Sequence, residues 1–254
     1  MPKPRALTGK EKTEDAVAGP SPPAGAHWKG HFFLFGPRSA PTYGNATGLV
    51  LLFIFAAFEW IIGPRLWLFE FLQQPMPPFW LRIPMMIGAV LLAVRLVAGL
   101  KLSAIGLYRW RTWRATEKSY FLQVLVIANV IFAVAVAAQL QVILTGPTAF
   151  KHVWSVFLPY LMWGFYQEVL YRGILQTELV RSWGALPGLL VSNLLFTFGP
   201  LHFYHFAEGR SSLPIFAAIF AIGLFFGTVF LRSGNLWMVG IFHGIGNIYL
   251  DGTS

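Results

Sequence analysis

The sequence contains no cysteine among its 254 residues. Disulfides, thiolate metal sites and cysteine nucleophiles are therefore excluded. Charged residues are also scarce, at 11% of the chain, whereas a typical soluble domain carries about 25%. This shortage of charge excludes an ordinary water-soluble enzyme.

Apolar residues are abundant instead: 56% of the chain is hydrophobic and 17% is aromatic, and the mean hydropathy is +0.60. The apolar stretches have about the 20-residue length that a bilayer requires. They predict an all-α, polytopic transmembrane helical bundle of about seven to eight spans. We place these spans at residues 48–74, 83–100, 120–145, 153–178, 185–206, 213–232 and 235–250.

Composition divides the chain into three predicted parts. Residues 1–42 are rich in proline, glycine and charge and predict a disordered cytoplasmic tail. Residues 43–148 predict N-terminal transmembrane helices with a basic cytoplasmic loop, and residues 149–254 a transmembrane core that carries the polar motifs. The formal charge of +9 is the bias expected of cytoplasmic loops and lipid contacts. It does not require a nucleic-acid partner. Lysines and arginines are concentrated in the N-terminal tail and in the loop between the second and third spans, which predicts a cytoplasmic N-terminus.

Polar residues recur inside three of the C-terminal spans. Glu168 and Arg172 lie four positions apart, hence on one helix face, where they can form an ion pair. His202 follows a Gly-Pro break in the next span, and His243 and Asn247 share a face of the last. One such group alone is typical of interhelical hydrogen bonding, but three spans that each carry such groups within about 80 residues form a constellation.

Other intramembrane ionisable residues lie near predicted helix ends or breaks. We expect these to extend towards the interface rather than to act in a site; they are Glu59, Glu70, Arg95 and Lys101. Several glycines of the C-terminal spans predict close helix approach, namely Gly164, Gly173, Gly240, Gly244 and Gly246.

The residue types limit the chemistry. His-Glu-x-x-His, Gly-x-Gly-Asp and Gly-x-Ser-Gly are all absent, which removes the zinc, aspartyl and rhomboid types of intramembrane protease. A carboxylate, two histidines, an asparagine and an arginine remain. These groups suit activation of water by a general base and stabilisation of an oxyanion, without a metal or cofactor.

The three motifs together resemble the CAAX protease and bacteriocin-processing family of glutamic intramembrane proteases. Its pattern is Glu-Glu-x-x-x-Arg, Phe-x-x-x-His and His-x-x-x-Asn/Asp on successive transmembrane helices, and the resemblance covers about residues 150–250. It implies an intramembrane endopeptidase in a cell membrane, here a bacterial inner membrane. The catalytic residues it implies are Glu168, Arg172, His202, His243 and Asn247.

Gln167 departs from this pattern, because the family has a glutamate at that position. The family assigns water activation to that glutamate with the histidine of the second motif, and the oxyanion site to the third motif. Three outcomes are open: Glu168 reaches the water after a helix rotation, His202 is the sole base, or the protein is inactive. We expect activity to be retained, with Gln167 orienting water or substrate.

The resemblance leaves several substrates and functions open. The substrate is expected to be a membrane protein or peptide cleaved in or near the lipid bilayer, at a prenylated C-terminus, in a peptide toxin or beside a C-terminal membrane anchor. The alternatives are a pseudoprotease or bacteriocin-immunity protein, favoured by Gln167, a transporter with a proton relay, and a hydrolase with Zn²⁺ on Glu168, His202 and His243, joined by His205.

Overall fold

The computed structural model describes residues 41–62 and 78–253, without the side chains of residues 204, 207, 208, 210 and 211. The predicted tail, apart from its last two residues, and Glu70 lie outside these ranges. All regular elements in the described part of the chain are helical, which confirms the predicted all-α class.

Eight helices follow one another along the described chain. They are α1 (Asn45–Ile62), α2 (Phe79–Leu96), α3 (Ala115–Ala135), α4 (Ala137–Thr145), α5 (149–183), α6 (Ala185–Phe198), α7 (Ser212–Ser233) and α8 (Leu236–Leu250). Short 3₁₀ segments cover Leu102–Ile105, Trp110–Thr112 and Pro200–Ser211. The third predicted span is divided between α3 and α4, and the fifth leaves the α-helix after Phe198.

Four described helices are long and apolar enough to cross a membrane by length and composition: α1, α2, α3 and α7. Helices α6 and α8 are apolar but shorter. Large apolar side chains point outwards, with Phe53 67%, Leu92 59% and Ile131 62% exposed. Such a surface is unfavourable in water and fits an integral membrane protein.

Helix α5 lies at the centre of the bundle. Every residue from 164 to 176 is buried, and the helix packs against α1, α2, α6, α7 and α8. Two of its stretches, Val153–Phe157 and Val169–Gln176, are π-helical. Lipid offers no hydrogen bonds, so the polar side chains of this central helix must find partners within the protein.

Small residues let α5 and α8 approach each other closely. A Cβ atom on Gly164 would lie 2.6 Å from the backbone nitrogen of Gly244. A Cβ on Gly240 would meet the ring of Phe165, so the close approach expected at these positions is present. At Gly246 the expectation is wrong, because nothing lies within 4 Å of the added Cβ.

Candidate active site

Glu168 is the centre of a polar cluster that consists of Glu168, Arg172 and His243. Its Oε1 lies 2.8 Å from Nδ1 of His243, and its Oε2 lies 3.2 Å from Nε of Arg172. The side chains of Glu168 and Arg172 are both fully buried. The ion pair expected from their four-residue spacing is therefore present, and it is extended by a histidine from α8.

Arg172 is held by groups from three helices. Besides facing Glu168 on its own helix, its Nη2 donates a hydrogen bond of 2.9 Å to the carbonyl of Gly223 on α7. Its guanidinium carbon lies 4.8 Å from the centre of the Phe196 ring on α6, a cation–π distance. These contacts fix the guanidinium group and, through it, the carboxylate of Glu168.

The ring of Phe196 packs against both histidines of the candidate site. Its ring centre lies 5.0 Å from that of His202 and 5.8 Å from that of His243. The ring of Tyr171 is 5.1 Å away. Both imidazoles, which come from different segments of the chain, therefore contact the same aromatic side chain.

His202 is placed by the Gly-Pro break. Helix α6 ends at Phe198, and the following 3₁₀ segment turns His202 back so that its Nδ1 lies 2.8 Å from the carbonyl oxygen of Phe196. A carbonyl can only accept, so Nδ1 carries the proton and Nε2 has a free lone pair. His202 is 8% exposed, and its geometry suits a general base.

His243 is oriented by the carboxylate in the same way. Its Nδ1–H points at Glu168, its ring stacks on Phe226 of α7 at 5.3 Å, and its side chain is 12% exposed. Nε2 is thus the nitrogen that remains available. The close packing of α8 on α5 at Gly164 and Gly244 brings this imidazole within reach of Glu168.

The two remaining predicted site residues lie beside the cluster. Gln167 is 4% exposed, and Asn247 is half-buried one helical turn beyond His243. In the described part of the chain, no hydrogen bond links either side chain to Glu168 or to the two histidines. Direct contacts therefore join Glu168, Arg172 and His243, and Phe196 connects this group to His202.

Glu59 was not expected near the site. It is 1% exposed rather than extended to the interface, and it accepts a 2.5 Å hydrogen bond from the hydroxyl of Tyr171. The signal in the sequence was its position within an 18-residue apolar helix, where a charge is costly and usually has a partner inside the protein.

The structure also bears on the alternative with a metal ion. Among residues 41–62 and 78–253, no three His, Cys, Asp or Glu side chains are grouped closely enough to hold one. His205 lies with its ring centre 6.2 Å from that of His202 and contacts Phe216.

The C-terminal part of the chain matches a known family. Residues 147–249 match the family described as type II CAAX prenyl endopeptidase Rce1-like. No curated protein and no solved structure matches the chain at a significant level. The resemblance drawn from the three motifs is thereby confirmed over this segment, and the match supports a membrane protease that acts on a membrane protein or peptide.

Proposed function

We propose that this chain, with its Rce1-like segment at residues 147–249, is an intramembrane endopeptidase that hydrolyses a peptide bond in or near the bilayer. The observation that carries the proposal is the buried carboxylate of Glu168, shared between Arg172 on its own helix and His243 on α8. Burying a carboxylate together with two ionisable partners inside the membrane is costly, and such a group of residues is typical of a functional site.

Glu168 acts in this proposal as the partner of a histidine rather than as the group that removes a proton from water. Both of its oxygens face other residues, Oε1 towards His243 and Oε2 towards Arg172. A carboxylate in this position orients an imidazole and stabilises its protonated form, as the aspartate does in hydrolytic triads. In the family that the motifs resemble, a glutamate at the position of Gln167 activates water. The role proposed here for Glu168 is a different one.

His202 is the general base of the proposed reaction. Its Nε2 takes a proton from water as the oxygen attacks the peptide carbonyl carbon, and the new C–O bond leaves an oxyanion. The same proton then passes to the departing nitrogen as the C–N bond breaks, giving a carboxyl and an amine terminus. General acid–base catalysis of this kind contributes about 10²–10⁴-fold.

His243 and Asn247 are proposed to stabilise the oxyanion. In its protonated form His243 offers Nε2–H to the oxyanion, and Glu168 balances its charge through Nδ1–H. The Asn247 side chain supplies a further N–H from the next turn of α8. Donors fixed in advance in a water-poor site are worth about 2.7–4 kcal/mol each. Gln167 is proposed to orient water or substrate through its amide.

An apolar substrate segment fits the surroundings of His202. A groove is lined by Phe198, Phe206, Leu213, Phe216 and Phe220. His205 contacts the ring of Phe216 in this groove, and its own ring centre lies 6.2 Å from that of His202. We propose cleavage near the C-terminus of a membrane-anchored or lipidated protein, in a bacterial inner membrane with the N-terminus of the enzyme in the cytoplasm.

The test is cleavage by purified protein in liposomes. Candidate substrates with C-terminal hydrophobic anchors are incubated in H₂¹⁸O, and products are identified by mass spectrometry. We expect one ¹⁸O in the new carboxyl terminus, and loss of cleavage in His202→Ala and His243→Ala. Glu178→Gln is the matched control, since it alters a buried carboxylate of α5 about 15 Å along the helix from Glu168. Cleavage that survives both histidine substitutions contradicts the proposal.

A binding function is the second candidate, because a neutral, buried Gln167 replaces the glutamate of the family. It predicts that the wild-type protein binds the anchored peptides in liposomes without cleaving them. Loss of cleavage on adding a chelator, with recovery on adding zinc, would instead support the metal-dependent hydrolase.

A further inference from the structure

Glu59 supplies a second buried carboxyl group close to the candidate active site. It lies in the π-helical end of α1, Ala57–Ile62, and π segments occur frequently at functional sites. The hydroxyl of Tyr171 donates to it at 2.5 Å, and the backbone N–H of Leu201 lies near the carboxyl group. Tyr171 precedes Arg172 and Leu201 precedes His202, so both residues near the carboxyl group are chain neighbours of site residues.

The turn at residues 199–203, which carries His202, packs directly against the hydrogen-bonded side chains of Tyr171 and Glu59. A Cβ atom on Gly199 would lie 2.6 Å from the hydroxyl oxygen of Tyr171 and 3.5 Å from Oε1 of Glu59. The carbonyl of the same glycine accepts the backbone N–H of His202 at 3.0 Å. Only glycine permits this close packing of the turn against the Glu59–Tyr171 pair.

Trp60, the residue after Glu59, contacts another residue of the same turn, Phe203. The ring of Trp60 meets that of Phe203 edge to face, with centres 6.0 Å apart. Glu59 therefore lies near Leu201 and Trp60 contacts Phe203, and these are the two chain neighbours of His202. Helix α1 lies outside the segment 147–249 that matches the family, so this support is contributed by another part of the chain.

We propose that Glu59 is a positioning residue of the active site: its carboxyl group, held by Tyr171, fixes the 199–203 turn and thereby the imidazole of His202. This inference rests on the proposed function. With this role, Glu59 is a second acidic residue beside a site in which Gln167 replaces the glutamate of the family. Its carboxyl group acts by holding the backbone of the turn and does not act on water.

A second tyrosine–carboxylate pair provides a matched control. Tyr43, just before α1, donates to Oε2 of Glu178 at 2.9 Å, and Arg181 also binds that carboxylate. Burial and the charge of Glu178 raise the pKa of the Tyr43 phenol, so it remains a donor. This pair joins the same two parts of the chain as Glu59 and Tyr171 but lies at the far end of α5.

The first experiment measures kinetics of the full chain in liposomes. Tyr171→Phe and Glu59→Gln are compared with Tyr43→Phe and Glu178→Gln. Misplacement of a catalytic group by about 1 Å costs roughly 10²-fold. We therefore expect kcat to fall about 10²-fold in the first two variants with KM unchanged, while folded yields match those of the controls. Glu59→Asp is expected to recover part of the loss.

The second experiment does not depend on peptidase activity. Diethyl pyrocarbonate modifies histidine nitrogens, and mass spectrometry gives the rate at each residue. We expect His202 to react severalfold faster in Glu59→Gln and Tyr171→Phe than in wild type, because its turn is no longer held. His152, whose Nε2 contacts the carbonyl of Gly252, serves as the internal reference and should not change.

The two measurements separate the inference from the proposed function. A wild type that cleaves no substrate, with His202 reactivity that responds to Glu59, contradicts the peptidase and leaves the positioning role intact. Unchanged His202 reactivity and unchanged kcat in Tyr171→Phe, the milder variant, overturn the positioning role. Equal losses in the Tyr43→Phe control would also overturn it, since they would show a general effect on folding.

Discussion

Nδ1 of His243 lies 2.8 Å from Oε1 of Glu168, although 75 positions separate the two residues in the chain. Arg172 faces the other oxygen of the same carboxylate at 3.2 Å. The carboxylate is therefore held between two cationic or cation-forming groups, and a change at any of the three residues alters the electrostatic balance of the others.

Glu168→Gln should reduce peptidase activity with less loss of folded protein than Arg172→Ala, because Arg172 keeps its hydrogen bond to the Gly223 carbonyl and its contact with Phe196. The amide keeps the shape of the side chain but removes the negative charge opposite His243. We expect kcat/KM to fall by about 10²–10⁴-fold, the usual contribution of acid–base groups. The measurement is cleavage of an anchored peptide in liposomes, with Glu178→Gln as control. Activity equal to wild type would remove Glu168 from the mechanism.

Arg172→Ala should impair folding and activity together. It leaves the carboxylate of Glu168 buried without its guanidinium partner, which costs about 3–5 kcal/mol in a soluble interior. Monodisperse yield on size exclusion and thermal aggregation temperature measure the folding loss. Arg172→Lys should be intermediate, because an ammonium group cannot pair with Glu168 and also reproduce the planar contact with Phe196. Full yield and full activity in Arg172→Ala would contradict this role.

Gly164→Ala and Gly244→Ala should separate α5 from α8. An added Cβ atom on Gly164 would lie 2.6 Å from the Gly244 nitrogen, and one on Gly244 would overlap the Leu161 carbonyl oxygen, so the helices must move apart. We expect lower thermal stability and a loss of activity, since His243 moves away from Glu168. Gly246→Ala is the control on the same helix, where nothing lies within 4 Å. Equal behaviour of all three variants would show that the close crossing is unimportant.

Gln167→Glu should be harmful. The position is 4% exposed, and a second carboxylate next to Glu168 would be buried beside a like charge. We expect a loss of at least about tenfold in kcat/KM, equivalent to about 1.4 kcal/mol, in the liposome assay. A gain in activity would instead indicate that the native protein is a weakened form of the family enzyme.

Much of the fold followed from the sequence because apolar runs of bilayer length form helices wherever backbone groups have no water to bind. The seven predicted stretches correspond to described helices where the structure covers them. The pairing of Glu168 with Arg172 was also predictable, since residues four apart on a helix are neighbours. The three motifs, through their order and spacing, predicted the family that residues 147–249 match.

Tertiary structure decided which groups meet across helices. The sequence could not show that His243 contacts one oxygen of Glu168 or that Phe196 contacts both histidines. Nor could it show that Glu59 is buried and hydrogen-bonded to Tyr171 instead of extending to the interface. These contacts depend on how far each helix is rotated and how closely it crosses its neighbours, and a rotation of one residue moves a side chain by about 100°. Helical periodicity gives the face of each residue, whereas the close crossing at Gly164 and Gly244 selects the partner.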